Sequence, residues 1–455
     1  MTGKDFLDEL STLKATELFT SLYGKDGAEI ARLRYLRLIE EFLDKNIFPA
    51  EKYPETGAEL HLFSVPGRSE LGGNHTDHNH GKVLAASIHL DAVAIVAPRQ
   101  DNRIFFRSVG HRDVMVDLTD LSLRKEETGS TEALIRGVAA EMTAQGTPVK
   151  GFSANADNMV LAGSGLSSSA AIEVLFAKIF DDLFCGGKRS AIELAKIAQK
   201  AENVYFGKPC GLMDQIACAS GGAAAIDFKD IKNPELKKIN FNPAAAGIAL
   251  CVVDTRGKHS SLTPDYAAIP GEMKNVAAFF GKTVLRDLDE EIFMSSLAEL
   301  RKITGDRAIL RAIHFFNENK RLDAMLAALE KLNSLPPEAN TGEIEEALGI
   351  FLDLVKKSGD SSMELLQNIY STNNPSRQGL SLALALTREF LNRNGSANHV
   401  NGVCRVHGGG FAGTIQAYVP TEKLEDYRKL MEGLFGKGAL TVLRIRPLGA
   451  IEIIL

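Results

Sequence analysis

The sequence predicts an α+β chain built as two lobes, on three observations. Strand-like and helix-like segments are mixed without a regular βαβ alternation. At ~150 residues per domain, 455 residues allow about three domains or two large ones. A charged, Pro-containing stretch separates the strand-like runs Ala224–Phe228 and Ile248–Val253, which places a boundary near residue 230 and lobes of residues 1–230 and 231–455.

The elements follow in order. Residues 14–45 carry helical periodicity and end before a polar stretch around Pro49–Thr56. Leu60–Val65 reads as a strand that enters a loop from Pro66 to Gly81. Val83–Ala97, Ile104–Ser108 and Val114–Asp117 read as strands with turn signals between them. Ser130–Ala144 reads as a helix, Val149–Ala154 as a strand, and a Gly/Ser loop begins at Gly163. Beyond it Ile172, Leu175, Phe176, Ile179 and Leu183 recur at helical spacing, so an amphipathic helix opens near Ser169. A second helix, Ser190–Tyr205, leads to the turn Gly207–Gly211. Residues 287–393 are mostly helical. Strand signals return at Thr414–Val419, Leu440–Ile445 and Ile451–Leu455, and these last strands are expected to pack back on the first lobe.

Composition removes several functions. Lys and Arg number 52 against 58 Asp and Glu, a formal charge of −6 spread along the chain, so there is no basic footprint for nucleic acid. The longest uncharged apolar run, Ala244–Val253, is far short of the ~20 residues of a spanning helix. The opening MTGKDFLDEL has no apolar signal core, so export is not expected. Five cysteines without CxxC spacing read as reduced thiols, which suits a cytoplasmic protein.

Three glycine-bearing loops could hold a phosphorylated ligand. Gly163-Ser-Gly-Leu-Ser-Ser-Ser-Ala-Ala171 combines tight backbone turns, three consecutive hydroxyls and a following helix whose N-terminal N–H groups point back at the loop. It is neither a Walker A loop, which needs GxxxxGK[ST], nor the GxSxG elbow of a hydrolase. Gly207-Lys-Pro-Cys-Gly-Leu-Met-Asp-Gln215, with Glu202 upstream, offers one carboxylate as a base and another for a cation. His407-Gly-Gly-Gly-Phe-Ala-Gly413 formally satisfies GxGxxG, but the residues after it alternate like a strand, which rejects a dinucleotide fingerprint. A fourth loop, Pro66–Gly81, holds Arg68, Asp77 and three histidines. A polar sugar pocket suits it better than a zinc or iron site, because one short loop rarely supplies every metal ligand.

Taken in this order, the loops resemble the GHMP small-molecule kinases, and most closely the galactokinases. Pro66-Gly-Arg68 with Gly73-Asn-His-Thr-Asp77 is similar to the signature PGRxNLIGEHxDYN, and Gly163–Ala171 to the phosphate loop GxGLSSSAA. Ala201-Glu202 with Gly207–Gln215 is similar to AEH…GxPCGIMDQ, and Gly408–Gly413 to GGGFGG. Lys258-His259-Ser260 with Tyr266 resembles the segment that carries the family's sugar-contacting tyrosine.

The resemblance implies a two-lobed GHMP kinase fold with the active site in the cleft, and ATP-dependent phosphorylation of a sugar at its anomeric hydroxyl. Asp214 takes the catalytic carboxylate's position and Arg68 that of its arginine. Gly163, Ser164, Gly165, Leu166, Ser167, Ser168, Ser169 and Ala170 match the ATP-binding loop. Ser168 or Ser169 and Glu202 match the positions that hold Mg2+, and Asn74, His75, Asp77, Gly211 and Tyr266 match sugar contacts. The implied partners are a small-molecule sugar and ATP, with no nucleic acid, no membrane and a monomeric state.

Two departures bear on the sugar. The family's Asn-Leu-Ile-Gly-Glu-His becomes Glu70-Leu-Gly-Gly-Asn74-His75, and Asp-Tyr-Asn becomes Asp77-His78-Asn79. The replaced glutamate hydrogen-bonds the 6-hydroxyl in galactokinases. Its loss removes a charge that would oppose a C6 carboxylate by about 4 kcal/mol at ~4 Å and an effective dielectric near 20, as in the galacturonate kinases that this chain also resembles here. The arginine pair that follows the family tyrosine is absent from Tyr266-Ala-Ala-Ile-Pro270. Galactose is preferred, with a hexuronate as the alternative and a non-catalytic galactose and ATP sensor behind both.

Overall fold

The computed structural model describes residues 1–45, 47, 59–147, 149–161, 163–257, 262–336, 341–393 and 402–455. Two sheets organise it, the first mixed through the parallel pair of its third and fifth strands and the second antiparallel throughout. The first contains β1 (His61–Gly72), β2 (Lys82–Pro98), β3 (Arg103–Ser108), β4 (Val114–Asp117), β5 (Phe152–Asn158), β6 (Ala223–Asp227) and β7 (Glu235–Ile239). The second contains β8 (Ile248–Asp254), β9 (Val403–Val406), β10 (Thr414–Pro420) and β11 (Leu440–Leu443), in the order β11-β8-β10-β9. The last strand, β12 (Ile451–Glu452), returns to β1 in the first sheet, pairing Glu452 with Phe63.

β2 is long enough to serve two neighbours. Its second half pairs with β5 and its first half with β6, so the sheet forks. Successive β2 side chains point to opposite faces. Val93, Ile95 and Ala97 enter a core built with the helices Leu13–Tyr23 and Lys25–Leu43. Ala92, Ala94 and Val96 enter a larger core shared with the helix Ser168–Cys185. Burial on both faces explains why Val83–Ala97 reads as a nearly continuous apolar run. Cutting Ile95 to Ala would cost about 2–5 kcal/mol.

The structure differs from expectation in several places. The helical stretch 14–45 is two helices broken at Gly24, whose φ of 78° a helix does not accommodate. β1 does not stop at Val65 but runs to Gly72. Register shifts between Pro66 and Arg68 and between Glu70 and Gly72 absorb the proline and re-aim the side chains around them. The strand expected at 149–154 is displaced to Phe152–Asn158. β7, within the stretch read as a boundary, extends the first sheet through β6. The Pro49–Thr56 stretch and Lys258-His259-Ser260 lie outside the described residues. Among the described residues no helix is long and apolar enough to cross a membrane.

Two helices continue as wider π turns, Ala201–Phe206 after Ala191–Lys200 and Ser362–Leu366 after Thr341–Ser361. Such turns recur at functional sites, and each here carries a polar group to the region where the glycine-bearing loops meet.

Candidate functional site

The centre is built from β1, the Gly163–Ala171 loop and the helix Met213–Ser220. Arg68, on β1, donates from Nε and Nη2 to Asp214 Oδ1 at 2.8 and 2.7 Å. Its Nη1 donates to the carbonyl of Gly165, and its backbone N–H to that of Leu166 at 3.0 Å. Asp214, in the first turn of its helix, accepts the Ser167 hydroxyl on Oδ2. Burial would raise the Asp214 carboxyl, but the Arg68 charge and these hydrogen bonds hold it below its ordinary value, so it is ionised at neutral pH. Its side chain keeps 30% exposure, so one edge is open to a ligand.

Ser167 sits in the left-handed region at φ 62°, strained for a residue other than glycine. That conformation turns its hydroxyl toward Asp214 and away from capping, and the helix Ser168–Cys185 has no side-chain cap. Its first N–H groups, on Ser168, Ser169 and Ala170, are left for an anion. The side chains of Ser164, Leu166 and Ala170 are buried and serve the loop's packing, while the Ser164 and Leu166 carbonyls accept from Thr414 and from the Arg68 N–H. Ser168 accepts a hydrogen bond from Asn158 Nδ2 at 2.9 Å.

A cluster of carboxylates, a hydroxyl and a lysine lies beside this loop. Ser169 Oγ donates to Glu202 Oε1 at 3.1 Å, and the Lys208 ammonium lies 2.8 Å from the same oxygen. Gln215 Nε2 bridges Glu202 Oε2 and the buried Glu173. Burial, then the neighbouring Glu202, pushes the Glu173 carboxyl well above the usual range, so Glu173 is neutral. The hard oxygen donors of Ser169 and Glu202 could hold a divalent cation if the Lys208 ammonium were displaced from Oε1. Among the described residues no group of three His, Cys, Asp or Glu could hold one alone, so phosphate and water oxygens would complete its shell.

The opposite wall comes from residues 74–77, Gly211, Tyr266 and the Gly408–Gly413 turn. Asp77 lies against Gly211 so closely that a Cβ there would collide with Oδ2, which explains the glycine. His75, also left-handed at φ 58°, donates from Nε2 to the Gly409 carbonyl at 3.0 Å and packs edge-on against Tyr266 at 5.3 Å. Burial pulls its pKa to about 3. The ring is therefore neutral, and Nδ1 remains as an acceptor.

Asn74, matched to a sugar contact, is hydrogen-bonded within the protein through both amide atoms. Its Nδ2 donates to Glu70 Oε1 at 3.1 Å and to the Gly408 carbonyl at 2.7 Å, while Oδ1 accepts from Asn368 and Ser362. The amide is thereby spent within the protein. Glu70 in turn pairs with Arg405 Nη2 at 2.9 Å. The carboxylate missing at position 74 is thus present one turn of chain earlier, buried and neutralised.

Several contributors escaped the sequence reading. Lys208 and Gln215 stood inside a quoted motif whose other residues drew attention. His407 is a relay: Ser69 Oγ lies 3.1 Å from its Nε2, and its Nδ1 donates to Thr414, which donates to the Ser164 carbonyl at 2.6 Å. It ties the turn to both β1 and the phosphate-type loop. Arg405 and Asn368 lie in segments with no motif, and no local signal marks them.

Comparison with known proteins follows the same residues. The family model described as "GHMP kinases N terminal domain" matches residues 133–222, and the "Galactokinase galactose-binding signature" matches residues 50–98. The galactokinase of Streptomyces coelicolor is 34% identical over 275 residues, 59% of this chain and 69% of its own. That of Mannheimia succiniciproducens is 30% identical over 402 residues, 87% of this chain and 94% of its own. Among solved structures, the Lactococcus lactis galactokinase complexed with galactose superposes with a TM-score of 0.72 at 22% identity, covering 89% of this chain and 97% of that one. A mevalonate kinase superposes at 0.56 and 15% identity, covering 84% and 98%.

Proposed function

The chain belongs to the galactokinase family of GHMP kinases, and from that premise we propose that it phosphorylates galactose at the anomeric hydroxyl, with ATP as donor. The observation that carries this reading is the ionised Asp214, held between Arg68 and Ser167 with one edge open beside an uncapped helix N-terminus.

Asp214 accepts a hydrogen bond from the 1-hydroxyl and orients its oxygen toward the γ-phosphorus. As the new O–P bond forms, the bond from phosphorus to the β-γ bridging oxygen breaks and ADP leaves. The hydroxyl proton passes to the Asp214 carboxylate as the hydroxyl acidifies, which lets a carboxylate of lowered pKa receive it. Arg68 and the N–H groups of Ser168–Ala170 face the charge on the transferring group. Ser169 and Glu202 are the residues that would hold Mg2+, which supplies charge neutralisation of the phosphates when bound. His75 Nδ1, Asp77, Tyr266 and the Gly211 backbone form the sugar wall. The lobes of this reading are residues 1–230 and 231–455, with β7 and β12 added to the first sheet, and the protein acts as a monomer in the cytoplasm.

A hexuronate is the second reading. Its support is that Asn74 and Glu70 leave no unpaired carboxylate near position 74 to repel one. Purified protein with Mg-ATP, assayed for ADP release with galactose, galacturonate, arabinose and N-acetylgalactosamine, tests both. Galactose is expected to give the highest kcat/KM. A clear galacturonate preference transfers the reading to the second substrate, and no sugar-dependent ADP release from any of them overturns both.

A further inference from the structure

We propose that a chamber behind the Gly408–Gly413 turn is a second ligand site, separate from the phosphoryl-transfer centre, and that it takes a phosphorylated sugar. The chamber, of about 250 Å³, is lined by Asp265, Arg307, Arg311, Gln367, Tyr370 and Phe411 among others. None of these side chains is bonded to Arg68, Asp214 or Ser167 among the described residues. The site goes beyond the proposed kinase reaction and does not depend on it.

Asp265 and Glu272 balance Arg307 and Arg311 in formal charge, but the guanidinium donors are not all used. Arg311 is 2% exposed. Its Nη1 donates to Glu272 Oε2 at 2.8 Å and its Nε to the Leu366 carbonyl at 3.3 Å, while Nη2 meets no acceptor among the described residues. Arg307 spends Nε and Nη2 on the same Glu272, so one carboxylate serves two guanidinium groups. A buried guanidinium with open donors is unusual, because buried charges are normally paired and hydrogen-bonded. Burial pulls the Arg311 guanidinium below its ordinary range, and Glu272 does not restore it.

The rest of the lining selects what accompanies the anion. Asp265 accepts from Ser371 Oγ at 2.6 Å and Asn373 Nδ2 at 3.3 Å, and keeps further lone pairs for ligand hydroxyls. Tyr370 and Phe411 supply an aromatic wall for the C–H face of a pyranose. A phosphate matches the paired arginines, which favour planar, charge-assisted recognition of oxyanions. A neutral sugar offers the open Arg311 Nη2 no charged acceptor, and a bare phosphate leaves the aromatic wall empty. The volume lies below the ~300–1,000 Å³ typical of drug-sized pockets, so a nucleotide is too large.

The chamber shares a wall with the sugar site. The Phe411 N–H donates to the Asn368 carbonyl at 2.5 Å, and Asn368 Nδ2 reaches both Asn74 and the Gly409 carbonyl that holds His75. Tyr266 follows Asp265 directly in the chain. An occupant that shifts Phe411 therefore alters sugar affinity, and by linkage sugar alters its binding equally.

The test is calorimetric titration of the full chain with galactose 1-phosphate, without nucleotide. Two classes of site are expected in the wild type. Arg307→Met, which removes a rim charge, and Ala268→Leu, which narrows the chamber without touching charge, should each weaken one class by about tenfold or more and leave the other unchanged. A single class in the wild type, or a second class indifferent to both variants, overturns the proposal. So does galactose binding that class as tightly as its phosphate. If the kinase reading fails instead, the class sensitive to these variants persists while the other disappears.

Discussion

Asp91 and Asp214 are built from the same parts and do opposite things. Each is a carboxylate beside arginine, and in each burial would raise the carboxyl while the arginines (Arg34 and Arg446 for Asp91, Arg68 for Asp214) hold it below its usual range. Asp91 is fully buried. Arg34 Nη1 lies 2.6 Å from Oδ1, and Arg446, Ser64 and Tyr23 all donate to Oδ2. Those donors come from the N-terminal helices, β1 and the segment before β12, so Asp91 clasps both ends of the chain to the first sheet. Asp214 has fewer partners and an open edge. The direction of a pKa shift does not separate a sealed clasp from a carboxylate that a ligand can reach. Access does.

Two substitutions break the pair apart. Asp214→Asn should lower kcat by about 10²- to 10⁴-fold, the range of a lost acid–base group, with an unfolding midpoint close to the wild type. Asp91→Asn should cost about 3–5 kcal/mol of stability, because it strips a charge from buried arginines, while kcat per folded molecule is retained. Steady-state kinetics beside urea denaturation read both. An active Asp214→Asn enzyme, or an Asp91→Asn enzyme of unchanged stability, would erase the distinction.

The same contrast explains what was legible in the sequence. Asp214 reads by itself as a turn residue, and becomes legible because Gly207–Gln215 falls in order with the other glycine-bearing loops and resembles a family motif. Asp91 sits in an apolar strand run, and its partners Arg34 and Arg446 lie 57 and 355 residues away. No spacing rule reaches that far. Glu70 and Asn74 show a subtler limit. Position 74 reads as a lost carboxylate, yet the carboxylate has moved to position 70 and found Arg405 at a separation of 335 residues. The strand run to Gly72 was hidden for a local reason: Pro66 and Gly67 read as punctuation, whereas bulges let β1 carry them. Helix and strand existence, by contrast, was well marked by periodicity in the segments that pack on both cores.

A smaller effect sharpens the comparison through pH. His75 has its pKa pulled to about 3 by burial, and burial also lowers His314 and His407, the latter well below its ordinary value. The folded state keeps these rings neutral, so below about pH 6.5 the unfolded chain binds more protons and stability falls with acidity. Each ring contributes a slope of ~1.4 kcal/mol per pH unit until its folded pKa is reached. Above pH 6.5 the term is flat. The depressed carboxylates Asp91 and Asp214 act in the same direction but only below about pH 4. Between about pH 6.5 and 4, buried His89, lowered to about 4, adds to these histidines and the raised carboxyls of Glu173, Glu70 and Asp182 oppose them, so the single-histidine variant isolates one ring's share. Urea titrations at pH 7 and pH 5 should differ accordingly, and His407→Gln should flatten the dependence. An unchanged slope in that variant would show that His407 is not held neutral.

The smallest effect concerns a third carboxylate and cation that stand between the two extremes. Glu202 is nearly sealed, at 2% side-chain exposure, but its partner Lys208 is 59% exposed. A bond with one mobile, solvated member is worth only ~0–1 kcal/mol, so it is a poor clasp and an easily displaced one. The ammonium occupies Oε1, the same oxygen to which Ser169 points, and a divalent cation on that oxygen would have to displace it. Lys208→Met should therefore tighten cation binding by up to about fivefold, the equivalent of ~1 kcal/mol. Mn2+ binding followed by paramagnetic resonance in the presence of ADP measures it without turnover. Weaker Mn2+ binding in the variant would mean that Lys208 helps hold the phosphates and does not guard Glu202. In either case a salt bridge with one exposed partner is read correctly only by asking what can take that partner's place.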